Sequence, residues 1–414
     1  MTATRSSISA ARIGKSPDEI VNLRFPAPPF DVATDEVGNQ SFEIQVVASC
    51  MSDILPRHRN RARRRGGRRQ GGKRVPTVFD ESLCDRCGDC FVRCLYVNYD
   101  KERAAFEIDE LIAGRSAPIL SACITCFACN EYCAMNARPF DLILERQEQF
   151  GSLRITADMI AAQEARFAAT SEVSVPQNQG RVLSGCVFGS SDPELFQGCL
   201  FEGLPVVKGR HFFCYILFDH MGSGSVTRRH AQTFVDNLAA TGAEEVILFH
   251  DDCYGMLVDR AREFGIKVPF RPVHVVEYVR RYLEAHRAAI TPVGLRVAYQ
   301  RPCASRLSPG KESAVDAVLK LIGVERVKRR YDRENSLCCG LAATAFNPEA
   351  APLVRQRNLD DAQAAGAQAL CYLCPMCRRG LGEDAQARGL GGYHIIELAR
   401  MALGELPVPG LAGS

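Results

Sequence analysis

Five cysteines in the last third of the chain recur at even distances. Cys303 lies in YQRPCASR, the adjacent pair Cys338 and Cys339 in SLCCGL, and Cys374 and Cys377 in CPMC. Thirty-four residues separate Cys303 from Cys338, and thirty-four separate Cys339 from Cys374. Neither a zinc ribbon nor a disulfide framework requires an adjacent cysteine pair with a distant C-x-x-C. Soft thiolates from three loops favour an iron–sulfur centre, with buried structural cysteines as the alternative.

Two earlier cysteine runs share the spacing C-x2-C-x2-C-x3-C. The eight residues are Cys84, Cys87, Cys90 and Cys94 in the first run and Cys123, Cys126, Cys129 and Cys133 in the second. At this spacing, three cysteines surround one face of a cubane, and the fourth ligates the other cluster. The pattern therefore predicts two neighbouring [4Fe–4S] clusters. Zinc is the alternative, although zinc sites rarely use four cysteines at these intervals.

Apart from its cysteines, the composition is typical of a globular protein. With 414 residues, of which 46% are hydrophobic and 24% charged, the chain has room for two or three domains. Nineteen cysteines, with no apolar signal segment in residues 1–20, indicate metal sites in an intracellular protein rather than disulfides. No apolar run approaches the roughly 18 residues of a membrane span. We therefore expect a cytoplasmic protein, either soluble or peripheral on the inner face of the cytoplasmic membrane.

Residues 57–74 form an Arg/Gly-rich run with nine Arg and one Lys. Because the net charge of the chain is +3, these ten positive charges leave −7 for the remainder. The run is interpreted as a solvated tether, as a docking segment for an acidic partner or anionic lipid, or as a nucleic-acid contact. Nucleic acid is not expected as a partner, because no aromatic residues are interleaved for stacking. The whole region 1–75 is predicted to be largely irregular.

Helices are predicted around the second cysteine run, and alternating strands and helices after it. The spacer ERAAFEIDELIAG and the segment PFDLILERQEQFG both have helical character. From about residue 176, apolar runs such as RVLSGCVF and EEVILFH alternate with helical stretches. This alternation predicts a largely parallel sheet with site residues on loops at the strand ends. We expect a helical domain over 76–150 and two α/β modules over 151–290 and 291–414.

The two α/β modules are predicted to be repeats of each other, the first of them degenerate. PVHVVEYVRRYLEA at 272–285 reappears as GYHIIELARMALGE at 392–405. Aligned in this way, the first module keeps three of the five cysteines, namely Cys186, Cys214 and Cys253. One interpretation is a further iron–sulfur cluster with an open position or a fourth ligand. The candidates for that ligand are Cys199, His211 and His250. The other interpretation is a structural module without a cluster.

The spacing C-x34-C-C-G-x33-C-P-x-C resembles the cysteine-rich CCG module of the heterodisulfide reductase family. The region of the two earlier runs is similar to the helical ferredoxin domain that the C subunit of that family carries. The order of the parts looks like fused C and B subunits, as in the D subunit of the membrane-linked enzymes. The resemblance covers about residues 80–404. It implies an α+β multidomain fold, with an α-helical ferredoxin-type domain followed by two pseudo-repeated α/β CCG modules.

The resemblance also implies a function. A non-cubane iron–sulfur cluster is expected to act catalytically at Cys303, Cys338, Cys339, Cys374 and Cys377. Electrons would reach it through two [4Fe–4S] clusters, from a flavoprotein similar to the A subunit of the family or from a membrane cytochrome. The expected substrate is a disulfide, thiol or persulfide, free or on a small sulfur-carrier protein, in sulfur metabolism. The sequence does not set the direction of the reaction.

Two other functions use similar modules. An iron–sulfur subunit of a flavin-linked glycolate or glycerol-3-phosphate dehydrogenase only passes electrons from a flavoprotein to quinone. A non-catalytic relay subunit is the second alternative, which the degenerate first module favours. The spacer of 28 residues between Cys94 and Cys123 is more similar to the heterodisulfide reductase pattern.

A few residues outside these motifs carry expectations of their own. Arg301 and Arg306 flank Cys303 and are interpreted either as anchors for an anionic thiol substrate or as solvated surface arginines. Four further residues are expected to be structural, the first two as buried thiols and the others at helix starts: Cys50, Cys371, His274 and His394.

Overall fold

The structure is a computed structural model, and it describes residues 78–168 and 180–409. The predictions for the irregular region 1–75, for its Arg/Gly-rich run 57–74 and for Cys50 lie outside the described residues, as does the change of sequence pattern near residue 176. Among the helices of the two described ranges, none combines the length and the apolar character of a membrane span.

Residues 78–168 fold into helices and turns around the two cysteine runs. The α-helices of this range are α1 (Asp89–Val92), α2 (Lys101–Ile112), α3 (Ile119–Ala122), α4 (Ala128–Tyr132), α5 (Pro139–Phe150) and α6 (Ala157–Ala168). The predicted helices before and after the second run are confirmed as α2 and α5. Asp100 begins α2 because its carboxylate accepts a hydrogen bond from Arg103 N. Pro139 begins α5, since its fixed φ suits a first turn.

Two four-stranded parallel sheets follow in residues 180–409. The strands are β1 (Arg181–Ser184), β2 (Val206–Val207), β3 (Glu245–Leu248) and β4 (Arg271–His274), then β5 (Arg296–Gln300), β6 (Glu325–Arg326), β7 (Ala369–Tyr372) and β8 (Gly391–His394). The first sheet has the order β2–β1–β3–β4 and the second β6–β5–β7–β8. We call residues 180–290 the first α/β half and residues 291–409 the second. The coarse prediction of a mixed α and β fold is confirmed.

Helices cover these sheets. They are α7 (Phe188–Ser191), α8 (Leu217–His220), α9 (Gly224–Ala239), α10 (Asp251–Gly255), α11 (Ala261–Glu263), α12 (Val275–Ala285), α13 (Glu312–Leu321), α14 (Ala343–Phe346), α15 (Ala350–Ala364), α16 (Pro375–Ala387) and α17 (Ile395–Ala402). The central strands β3 and β7 are buried along their whole length, because parallel strands are covered on both faces.

The loops that follow the strands carry the cysteines of both halves. Cys186 and Cys253 come after β1 and β3, and Cys303 and Cys374 come after β5 and β7. β1 pairs with β3 in parallel, and β5 with β7. Because the carboxyl ends of parallel strands meet at one edge of a sheet, these loops lie side by side. The prediction that the site residues lie on loops at strand ends is confirmed for Cys186, Cys303 and Cys374, whereas Cys253 lies within α10, the helix that follows β3.

His274 and His394 occupy the same place in the two halves. Each ends the last strand of its sheet and caps the following helix. Its Nδ1 accepts a backbone N–H, from Val276 at 3.1 Å and from Ile396 at 3.3 Å. Burial lowers the pKa of His394 to about 3, so its Nδ1 remains an acceptor. The prediction of structural histidines at helix starts is confirmed.

A buried group of charges joins the helical part to the first α/β half. Arg260 pairs with Asp141 of α5, and its Nε donates to Asp219 Oδ2 at 3.1 Å. All three side chains are almost fully buried. Although burial alone would raise it, the guanidinium groups of Arg260 and Arg138 hold the pKa of Asp141 below its ordinary value. The charges persist inside the protein because they neutralise one another.

We expect an Arg260→Met change to lower the free energy of unfolding by about 3–5 kcal/mol, since it removes the cation between two buried carboxylates. Urea unfolding of the anaerobic protein, followed by circular dichroism, measures the loss. Arg262→Met is the matched control: Arg262 is exposed and pairs with Asp259, so its effect should stay below about 1 kcal/mol. An Arg260→Met protein as stable as the control would contradict this role.

Candidate functional site

The five cysteines of the second α/β half form one continuous row, which we call the CCG group: Cys303, Cys338, Cys339, Cys374 and Cys377. The sulfurs of Cys303 and Cys338 are 3.4 Å apart. Cys339 contacts the thiols of Cys338 and Cys377, and Cys377 also contacts Cys374. Four of the five are buried, and Cys303 is half-buried at one end of the row. The structure thus brings together the cysteines that the sequence assigns to one site.

Three loops position the CCG group. Cys303 starts the 3₁₀ turn after β5, and Cys374 is the N-cap of α16. Between them, Gly340 has a φ of +77°, and a Cβ there would lie 3.0 Å from Ala351 O. Its N–H donates to Cys338 Sγ at 3.3 Å. Glycine is therefore needed after the cysteine pair, both for the left-handed conformation and for the close approach of the backbone.

Hydrogen bonds within the CCG group favour thiolates at Cys339 and Cys374. The thiols of Cys338 and Cys377 hold the pKa of Cys339 well below its ordinary value, in spite of burial. A hydrogen bond from Cys377, together with the charge of His250, outweighs burial and lowers the pKa of Cys374 to about 6. Cysteines bind metals as thiolates. The row of five neighbouring sulfurs is therefore a donor set for a metal centre held through several sulfurs.

The eight cysteines of the two earlier runs separate into two groups. The sulfur neighbours of Cys90 are Cys133, Cys84 and Cys87. The sulfur neighbours of Cys129 are Cys94, Cys123 and Cys126, with Cys90 of the other group also in reach. The fourth cysteine of each run thus lies with the first three of the other run. This exchange matches the ligand pattern of two-cluster ferredoxins.

A cavity lies between the four cysteines of the second of these groups. Its lining includes the sulfur-bearing residues Cys94, Cys123, Cys126 and Cys129. The remaining walls are mostly apolar and include Ile119, Phe127 and Phe140. Four thiols around one enclosed apolar space are the donor set of a [4Fe–4S] cluster. The cysteines that line the cavity therefore match the cofactor predicted for this part of the chain.

Tyr96 joins this cavity to the CCG group. It lines the cavity, and its hydroxyl accepts the N–H of Cys338 at 2.8 Å. Burial, with the charges of Cys126 and Cys338, holds the pKa of Tyr96 well above its ordinary value, so the hydroxyl keeps its proton. Cys126 and Cys303 also lie close enough for a charge on Cys303 to raise the pKa of Cys126. Sequence reasoning missed Tyr96, since a tyrosine shortly after a cysteine run carries no signal of its own.

Arg301 and Arg306 bind a carboxylate of the helical part. Arg301 Nη1 lies 2.8 Å and Arg306 Nη1 lies 2.6 Å from Glu131 Oε2. Both arginines are buried and face Glu131 rather than an open surface, so their interpretation as solvated surface residues is wrong. Although burial alone would raise it, the two guanidinium groups hold the pKa of Glu131 below its ordinary value. The loop of Cys303 is thereby fixed to α4.

Cys186, Cys214 and Cys253 form a smaller buried group, which we call the first-half triad. The thiol of Cys253 contacts those of Cys186 and Cys214. Cys199, a candidate fourth member, lies elsewhere, and its N–H donates to Glu405 Oε1 at 2.7 Å. The structure therefore brings together the three cysteines that the sequence alignment retains, without the fourth.

His250 lies between the first-half triad and the CCG group. Its Nε2 is 3.1 Å from Cys374 Sγ, and its Nδ1 is 3.7 Å from Asp252 Oδ2. Burial alone would lower its pKa, but the charges of Asp252 and Cys374 hold that pKa well above its ordinary value. His211, the other histidine offered to the triad by the sequence, packs edge-on against Phe212 at 5.0 Å.

A solved structure of a hypothetical protein from Helicobacter pylori aligns with a TM-score of 0.45 at 12% sequence identity, over 74% of this chain and 66% of that chain.

Comparison with protein families and curated proteins agrees with the geometry of the CCG group. Residues 297–382 match the CCG family, described as a cysteine-rich domain. Two similar proteins are the D subunits of dihydromethanophenazine:CoB–CoM heterodisulfide reductase from Methanosarcina barkeri and from Methanosarcina mazei, 29% and 31% identical over 186 residues. Each match covers 43% of this chain and 46% of the relative, so the chain spans about half the length of the curated relatives it matches. On these matches the chain carries a CCG cysteine-rich domain and is similar, over 186 residues, to D subunits of heterodisulfide reductase.

Proposed function

We propose that the chain is the electron-relay and catalytic subunit of a heterodisulfide reductase-like complex. The helical part passes electrons to the CCG group, where a disulfide or persulfide substrate is reduced or, in the opposite direction, formed. The observation that carries the proposal is the contact between the two sites. Tyr96 lines the cavity of four cysteines and at the same time accepts the N–H of Cys338.

Three sets of cysteines would hold the cofactors. One [4Fe–4S] cluster would be bound by Cys84, Cys87, Cys90 and Cys133. A second would be bound by Cys94, Cys123, Cys126 and Cys129. The CCG group would hold a non-cubane [4Fe–4S] cluster. Such clusters exchange single electrons at potentials that depend on hydrogen bonds, charge and burial around their sulfurs.

The exposure of the cysteines indicates where electrons would enter the protein and which way they would move. Cys84, Cys87 and Cys133 are half-buried, so their group is where a partner would deliver electrons. Phe91 and Phe127 are fully buried beside the cysteine loops and keep water from them. From there the path leads inward past Tyr96 to the CCG group.

At the CCG group, two electrons and two protons convert one disulfide into two thiols, and the reverse reaction releases them. Cys303 is the half-buried end of an otherwise buried row, so a substrate sulfur would approach there. The electrons would come from a flavoprotein similar to the A subunit of heterodisulfide reductases or from a membrane cytochrome. The substrate would be a disulfide or thiol, or a small sulfur-carrier protein of sulfur metabolism. The complex would work in the cytoplasm or at the inner face of the cytoplasmic membrane.

The proposal includes the division of the chain into domains. A ferredoxin-type helical domain over 76–150 would be followed by a degenerate module over 151–290 and an intact CCG module over 291–414. The equal strand order of the two sheets supports a pair of pseudo-repeated modules. The matching helix caps at His274 and His394 also support it.

Anaerobic purification, followed by iron and sulfide analysis and EPR, tests the proposed function. We expect at least about twelve irons per chain from three four-iron clusters, and two cubane-type signals after reduction. A further signal should appear after mild oxidation only when a thiol is added. If the two cubane-type signals appear and no thiol changes the spectrum, the catalytic function is wrong and the chain is a relay.

A further cluster at the first-half triad stays a prediction. Cys186 adopts a φ of +51°, a strained conformation for a residue other than glycine and one that clusters at functional sites. If this cluster exists, a Cys253→Ala protein should contain about four irons per chain fewer than the wild type prepared in the same way. Unchanged iron would contradict it and leave the three thiols as core packing. Cys199→Ala, outside the triad, is the matched control with unchanged iron.

A further inference from the structure

His250 is a side chain of the first α/β half that reaches the CCG group of the second. It stands at the N-terminus of α10, and only 5% of its surface is exposed. Phe188 packs against its ring with the centroids 4.7 Å apart. Asp252 Oδ2 lies 3.7 Å from Nδ1. These contacts hold the ring with Nε2 at 3.1 Å from Cys374 Sγ.

The proton in the contact between His250 and Cys374 belongs to the histidine when the CCG group holds a metal. A metal-bound cysteine is a thiolate, which accepts hydrogen bonds and has no proton to donate. The N–H at Nε2 therefore donates to the sulfur of Cys374. Hydrogen bonds of this kind to ligand sulfurs are among the protein's means of adjusting a cluster.

Resting on the proposed function, we infer that His250 is a positioning residue that raises the reduction potential of the cofactor held by the CCG group. A donor beside a ligand sulfur offsets part of the negative charge that reduction adds, and so stabilises the reduced state. Removing a hydrogen bond to a charged group should change the ratio of oxidised to reduced cofactor about tenfold at a fixed potential, which is about 59 mV for a one-electron step. The first α/β half, although degenerate in its cysteines, would in this way serve the site of the second.

Redox titration of the thiol-dependent EPR signal in two variants tests the inference. His250→Leu removes the donor at similar volume, whereas His250→Gln keeps an N–H donor. We expect the reduction potential of the CCG cofactor to fall by about 59 mV in His250→Leu. In His250→Gln, which keeps a donor, the fall should be clearly smaller. His286→Gln is the matched control, because His286 is exposed and its Nδ1 contacts Tyr282 O at 2.8 Å. The control should have the wild-type potential.

Labelling with ¹⁵N-histidine gives a second readout that does not depend on the stability of the leucine variant. Pulsed EPR of the CCG signal should show a weak ¹⁵N coupling in the wild type that is absent in His250→Gln. Wild-type potentials in both variants, or an unchanged ¹⁵N spectrum, would overturn the inference and leave the proposed function intact. A wild type without any thiol-dependent signal would instead overturn the proposed function itself.

Discussion

A Cys339→Ala protein should lose the thiol-dependent EPR signal while both cubane-type signals remain. Cys339 lies in the middle of the CCG group, in contact with Cys338 and Cys377. Its removal therefore interrupts the row of sulfurs without touching the cysteines of the helical part. We expect about four irons fewer per chain and a rate of disulfide reduction at background. Iron analysis, EPR and a disulfide-reduction assay with an artificial electron donor measure these three results.

Cys371→Ala is the matched control for this prediction. Cys371 is buried in β7, three positions before Cys374, and burial raises the pKa of its thiol to about 12. The change removes the same chemical group from the same strand region but leaves the CCG group complete. The control should therefore keep the wild-type iron content and all EPR signals. A signal that survives in Cys339→Ala, or that disappears in the control, would refute the assignment of the site.

A Cys94→Ala change should disconnect the CCG group from the source of electrons. Cys94 belongs to the first run in the sequence, yet it lines the cavity of Cys123, Cys126 and Cys129. Its loss therefore removes the cluster beside the CCG group, and the cluster nearer the surface stays. We expect an external donor to reduce the remaining cubane, while reduction of the CCG group falls to background. Rapid freeze-quench EPR after mixing with the reduced donor measures both events.

Cys133→Ala should give the complementary result. Cys133 belongs to the second run, but its thiol is a neighbour of Cys84 and Cys90. Cys133→Ala should keep the cubane-type signal that Cys94→Ala removes. It should remove the cubane-type signal that Cys94→Ala keeps. If each change instead removed the cluster of its own run, the exchange of the fourth cysteines would be wrong.

The spacing of the cysteines was enough to predict which of them meet. Ligand spacing is a local property, and the strands and helices that carry the ligands have their own local patterns. α2 and α5 were predicted from helical patterns, and the strands that precede Cys186 and Cys253 from short apolar runs. A glycine after an adjacent cysteine pair also has a local cause, the left-handed φ of Gly340.

The residues that connect the sites were outside the reach of such patterns. Tyr96 is 242 positions from Cys338, and His250 is 124 positions from Cys374. Contacts of this kind arise from the packing of separate parts, which no periodicity encodes. The solvated-arginine interpretation of Arg306 failed for the same reason, because an arginine is buried only where a remote partner compensates its charge.

Glu131, held between Arg301 and Arg306, joins the helical part to the second α/β half. Both Nη atoms of Arg301 donate hydrogen bonds to the carboxylate of Glu131, Nη1 to Oε2 at 2.8 Å and Nη2 to Oε1 at 2.9 Å. Two separate polypeptides, cut between the helical part and the α/β halves, would each present one side of this joint as a charged docking surface. Within one chain the joint closes at an effective concentration on the order of millimolar. A fused gene product could therefore tolerate a weakened Glu131 joint that independently synthesised subunits would have to preserve in order to find each other.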